Sequence, residues 1–142
     1  EDPECDPKEW IPNPDEFNRE ITDSQWKAQV YRCMRRIPTL EEPSRKRGVV
    51  DLYDVSDDWL PIYDSTRIKG YYMAIGSSGN QFKNAPIAGH CMAELIEACE
   101  KGQNHDEDPV QVKTVYTGLT LNMGFYSRNR EINPNSSFSV NG

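Results

Sequence analysis

Residues 70–102 read Gly70-Tyr71-Tyr72-Met73-Ala74-Ile75-Gly76-Ser77-Ser78-Gly79-Asn80-Gln81-Phe82-Lys83-Asn84-Ala85-Pro86-Ile87-Ala88-Gly89-His90-Cys91-Met92-Ala93-Glu94-Leu95-Ile96-Glu97-Ala98-Cys99-Glu100-Lys101-Gly102. The first seven are a run of strand length, apolar on both faces, which predicts a strand buried inside an α/β sheet. From Ala88 onward, Cys91, Met92, Leu95, Ile96 and Cys99 recur at helical spacing. Pro86 suits the first turn of that helix, and Gly102 suits its C-terminal cap. The Gly76–Lys83 stretch must therefore be the loop that joins strand to helix. A helix N-terminus carries unpaired N–H groups and partial positive charge, and glycine lets backbone approach an anion or an electron-rich ring. A tight turn between a strand and a packing helix also accounts for the glycines. The stretch lacks both the GxxxxGK[ST] phosphate loop and the GxGxxG dinucleotide fingerprint.

Upstream, Trp26, Val30, Cys33, Met34 and Ile37 predict a helix capped by Thr22 or Asp23 and ended by Pro38. Residues 1–21 are rich in X-Pro pairs and read as extended loop. Gly48–Val55 reads as a strand by its β-branched content, and Trp59–Tyr63 as a short extended piece interrupted by Pro61. Val110–Val115 and Leu119–Tyr126 are two further strand candidates around a Thr117-Gly118 turn. Residues 133–142 are polar and read as loose.

The chain has 142 residues, enough for one core, and a formal net charge of −7. That charge argues against a nucleic-acid partner, since binding phosphates requires a Lys/Arg surplus. The local basic cluster, Arg32, Arg35, Arg36, Arg45, Lys46 and Arg47, reads as solvated. No stretch approaches the roughly 20 apolar residues of a membrane span. Cys5, Cys33, Cys91 and Cys99 are too sparse for a disulfide framework. With only His90 and His105 to add, they make no metal-ligand spacing. The thiols read as reduced and mostly packed, which points to an intracellular protein, cytoplasmic first and mitochondrial second. His90 reads as packed or solvated, and His105, beside Asp106-Glu107-Asp108, as a surface residue.

The stretch Gly70-x-Tyr72-x-Ala74-x-Gly76-x-Ser78-Gly79-x-x-Phe82-Lys83-x-Ala85-Pro86-x-x-Gly89 resembles the C-terminal signature of the D-amino-acid oxidase-like FAD oxidoreductases, which include sarcosine, dimethylglycine and glycine oxidases and dehydrogenases. Leu52-Tyr53-Asp54-Val55-Ser56-Asp57-Asp58-Trp59-Leu60-Pro61-Ile62 is similar to a segment upstream of it in that family. The resemblance covers roughly residues 12–100. It implies the α/β (or α+β) C-terminal part of a two-domain FAD-binding oxidoreductase without its N-terminal βαβ unit. Residues 1–65 would end a substrate-binding domain, 66–103 would supply the closing strand, glycine loop and helix of the FAD domain, and 104–142 would be a C-terminal extension. It further implies that Gly76, Ser77, Ser78, Gly79, Asn80, Gln81, Phe82 and Lys83 face the flavin. Lys83 would be the catalytic lysine, near flavin and substrate carboxylate; an exposed lysine at a helix start is the plainer alternative. Tyr53 would wall off the substrate, or serve as an ordinary packed aromatic.

This sequence departs from the family pattern in two places. Asn80-Gln81 stands where the family often has His-Gly. Asp51 stands where some members tether FAD through cysteine, so FAD would be held non-covalently. The implied reaction is oxidation of a C–H bond beside the nitrogen of a small amine or amino acid. The missing N-terminal portion of the same protein is then a required partner, and this chain alone is expected to hold FAD poorly. Two other readings stay open: an assembly or interaction factor built on the FAD fold without amine oxidase activity, and a stand-alone non-enzymatic α/β binding domain.

Overall fold

The computed structural model describes residues 13–136, and these fall into two compact units, 13–52 and 53–136. The readings of residues 1–12, which include Cys5, and of residues 137–142 lie outside the described residues.

The first unit holds one helix, α1 (Asp23–Arg36). Thr22 caps it: the side-chain oxygen accepts from the Gln25 N–H at 3.3 Å, and Asp23 puts a carboxylate in the first turn. At the other end the Ile37 N–H returns to the Cys33 carbonyl just before Pro38. Trp26, Val30 and Met34 are half-buried, whereas Cys33 and Ile37 are exposed. Lys46 reaches back to Asp23 at 2.6 Å. Residues 48–55 form no strand. Their β-branched content has no neighbouring strand to pair with here, and β-propensity without a partner does not make a sheet.

The second unit is α+β. Strands β1 (Ile62–Ser65) and β2 (Tyr72–Ile75) pair antiparallel, with Ile62 opposite Ile75 and Ser65 opposite Tyr72. Helix α2 (Ala85–Glu100) follows, then a second antiparallel pair, β3 (Gln111–Lys113) and β4 (Thr120–Asn122). The apolar run at 70–76 is thus a hairpin strand and not the interior of a larger α/β sheet. Tyr72 and Met73 are half-buried, and Ala74 and Ile75 are exposed. A hairpin with one covered face cannot bury both sides of a strand, whatever its composition.

The core consists of Tyr63, Cys91, Leu95, Val110, Val112 and Met123, with Tyr72, Ala88, Met92, Leu121 and Tyr126 packed around it. Half of this core comes from beyond residue 104, so residues 104–136 are packed into the unit. On α2, Cys91 and Leu95 are buried, Ala88 and Met92 are half-buried, and Ile96 lies at the rim. No helix among the described residues is long and apolar enough to cross a membrane.

Candidate functional site

The loop after β2 takes its shape from left-handed backbone at Gly76, Ser78 and Gly79, with φ of +68°, +48° and +74°. Gly76 is also a close approach: a Cβ there would sit 3.2 Å from Ser56 Cβ. The concave side of the loop holds a carboxylate of the chain itself. Asp54 accepts from the Gly76 N–H, from the Ser77 N–H at 3.1 Å and from the Ser77 hydroxyl at 2.7 Å. The Ser78 N–H donates to the Asp54 carbonyl at 2.8 Å. Burial raises the Asp54 pKa, but the hydrogen bonds from Ser77 and Gly76 outweigh it and hold the carboxyl below its ordinary value.

The later part of the loop faces outward. A short 3₁₀ turn, Phe82–Asn84, precedes α2, with Phe82 98% exposed and Lys83 exposed beside it. Asn84 stands at the N-cap of α2, but its side chain donates to Gln81 Oε1 at 3.1 Å instead of capping the helix. Gln81 Oε1 also accepts the Tyr63 hydroxyl at 3.1 Å, while its Nε2 donates to Asn80 Oδ1 at 2.5 Å. The positive end of α2 therefore lies beside three amide side chains and a lysine.

Next to this group is a cleft of about 260 Å³, lined by Leu60, Tyr63, Gln81, Asn84, Cys91 and Tyr126 among others. Burial pushes the Cys91 thiol up, which keeps it protonated and suits it to packing. Burial also raises Tyr63, so its hydroxyl stays a donor to Gln81. The Tyr63 and Tyr126 rings lie 5.3 Å apart. Tyr53 is half-buried and meets the Trp59 ring edge-on at 6.5 Å.

Two buried acids stiffen the frame behind the cleft. Asp58 accepts from Arg130 Nε at 2.9 Å and Nη2 at 2.5 Å, and also from the Leu60 N–H at 3.1 Å. The Arg130 hydrogen bonds, against the cost of burial, hold its carboxyl at about 2. Asp64 accepts from the Arg128 N–H at 2.8 Å, the Ser127 hydroxyl at 3.0 Å and the Ser65 N–H at 2.6 Å. Its ion pair with Arg128 Nη1 spans 2.9 Å.

His105 is buried beside Asp64, contrary to its surface reading. The acidic run 106–108 does point outward, but the chain turns at 104–107 and carries the imidazole beneath it. The Val110 N–H donates to His105 Nδ1 at 3.1 Å, so the ring hydrogen sits on Nε2. That atom lies 3.6 Å from Asp64 Oδ1, too far for a hydrogen bond. His90 is half-buried and meets the Lys113 carbonyl at 3.2 Å. Of the thiols, Cys91 is buried, Cys99 half-buried and Cys33 exposed.

Among the residues expected to face a flavin, the structure gathers Gly76, Ser77 and Ser78 around Asp54, leaves Asn80 and Gln81 half-buried, and sets Phe82 and Lys83 outward at the head of α2. Asp54, Asp58, Asp64, Arg128 and Arg130 went unrecognised in the sequence. The pairings of Arg128 with Asp64 and of Arg130 with Asp58 span 64 and 72 residues, and no local spacing announces them. No family model matches the chain, and no curated protein or solved structure is significantly similar to it.

Proposed function

We propose that this chain is the flavin-facing C-terminal part of an FAD-dependent amine or amino-acid oxidoreductase. One observation carries the reading: Phe82 and Lys83 stand exposed at the head of α2, directly after a loop bent left-handed at Gly76, Ser78 and Gly79. The donor set suits one edge of a flavin ring. Asn80 and Gln81 bring side-chain amides, Phe82 brings an apolar face, and Lys83 brings a positive charge. The Gly76 and Ser77 N–H groups are already given to Asp54, so they shape the loop and leave contact with the ring to Asn80–Lys83.

When bound, FAD supplies the acceptor for a hydride from the carbon beside the substrate nitrogen. The chain's own part is electrostatic. The Lys83 ammonium and the positive end of α2 favour negative charge on the ring edge or on a substrate carboxylate. Tyr63 orients Gln81 toward the same edge, and Tyr53 walls the substrate side. A βαβ dinucleotide-binding unit, lying outside this chain, would hold the adenosine half of FAD.

The test is anaerobic mixing of small amines and amino acids with the full-length protein carrying its flavin. Bleaching of the oxidised flavin band by one of them supports the reading. A full-length protein that carries no flavin, or whose flavin no amine bleaches, overturns it.

A further inference from the structure

Asp54 holds both the side chain and the backbone of the loop that follows β2. Its carboxylate takes the Gly76 and Ser77 N–H groups and the Ser77 hydroxyl, and its carbonyl takes the Ser78 N–H. Successive N–H groups converging on one point make an anion-holding concavity. Here the anion is supplied from within the chain. We infer that Asp54 is the positioning residue of the Gly76–Lys83 loop, filling its concavity from inside and thereby fixing the direction in which Asn80–Lys83 leave it; the consequence for a flavin rests on the reading above.

The residue type is specific. All three groups that meet the carboxylate are donors, so they require an acceptor on both oxygens. Asparagine would turn its own N–H₂ toward one of them, leaving two donors face to face. Alanine would empty the concavity, and because Asp54 is exposed, a small carboxylate from solution could enter it. The Ser78-to-Asp54 carbonyl bond survives every such substitution, so the loop loosens without losing its anchor.

The experiment follows backbone amide signals of the isotope-labelled 142-residue chain with and without sodium formate. In Asp54→Ala, the Gly76 and Ser77 amides should shift and exchange at least about tenfold faster. Asn80, Gln81, Phe82 and Lys83 should move with them, and Leu95 and Val112 should stay in place as a check on folding. Formate should restore the loop signals in Asp54→Ala and leave Asp54→Asn unchanged, because the amide side chain still occupies the site. Wild-type amide signals at Gly76 and Ser77 in the alanine variant overturn the inference. So does a change confined to those two residues while 80–83 stay fixed. If the alanine variant does not fold, the same signals are read in Asp54→Asn, where a wild-type loop pattern is again fatal. A positive result here beside a full-length protein without flavin would sink the functional reading and leave the role of Asp54 in the loop standing.

Discussion

Arg130 closes on Asp58 with two parallel hydrogen bonds, Nε to Oδ2 at 2.9 Å and Nη2 to Oδ1 at 2.5 Å, between residues 72 apart in sequence. Its Nη2 also reaches the Leu60 carbonyl at 2.9 Å, and its Nη1 reaches that of Ser127 at 3.1 Å. Asp58 and Leu60 enter a turn in which Trp59 is held at a φ of +61°, unfavourable for a bulky side chain and tolerated only where the surroundings enforce it. β1 starts two residues later and carries Tyr63, which orients Gln81. A residue of the C-terminal segment thus fixes the strand that supports the candidate site.

Arg130→Met should therefore destabilise the second unit by about 3–5 kcal/mol, since it leaves Asp58 buried without its cation. Urea unfolding followed by far-UV circular dichroism measures the loss. Adding Asp58→Asn to Arg130→Met should recover part of it, because the stranded charge is then gone. A single variant within about 0.5 kcal/mol of wild type would show that the pair contributes little.

Acid should act on the same pair. The folded carboxyl of Asp58 sits at about 2, below the ordinary 3.8, so its contribution is complete above about pH 4 and is lost as pH falls toward 2. The loss amounts to no more than about 2 kcal/mol. Unfolding free energy measured between pH 5 and pH 2 should fall less steeply in Asp58→Asn than in wild type. Equal slopes would assign the acid sensitivity to other carboxylates.

Leu95 is completely buried in the face that α2 turns to the core. Leu95→Ala should cost about 2–5 kcal/mol through lost burial and the cavity left behind. Ile96→Ala, at the rim of the same helix, should cost clearly less. Thermal melts of the two variants side by side decide this, and equal costs would mean that the rim is covered in solution.

The proposed role of Lys83 is read in the full-length flavoprotein. Lys83→Met should slow single-turnover flavin reduction by roughly 10²-fold, a few kcal/mol of lost charge stabilisation, with FAD still bound. Bound flavin is quantified in the same sample. A rate within about threefold of wild type would make Lys83 an ordinary surface lysine.

Local signals were legible in the sequence and distant ones were not. The cap at Thr22, the stop at Pro38 and the α2 stripe of Ala88, Cys91, Met92 and Leu95, though not Ile96, follow from spacings of a few residues. So do the short strands around Thr117-Gly118, except that Met123–Tyr126 is a 3₁₀ turn and not strand. The apolar run at Tyr71–Ile75 gave a strand but misled on its setting, because composition does not say how many neighbours a strand will have. Gly48–Val55 misled for the same reason. The loop at Gly76–Gly79 was legible as a glycine turn, yet the carboxylate inside it was not, since Asp54 lies 22 residues upstream of Gly76. His105 was hidden by its acidic neighbours, which mark the outer side of a turn whose inner side it occupies.

The two arginine contacts also set an order of events during synthesis. When Asp58 and Asp64 are added to the growing chain, the guanidinium groups that neutralise them are still some 64–72 residues from being made. At roughly 5–20 residues per second, that is a wait of about 3–14 s, far longer than a short helix or hairpin needs to form. From the completion of α2 at Glu100 until Met123 is made, the β1–β2 hairpin and α2 lack part of the core that Val110, Val112 and Met123 supply. The unit is thus completed by its C-terminal segment, and a nascent chain stalled before residue 110 would leave Leu95 without Val110, Val112 and Met123 to cover it.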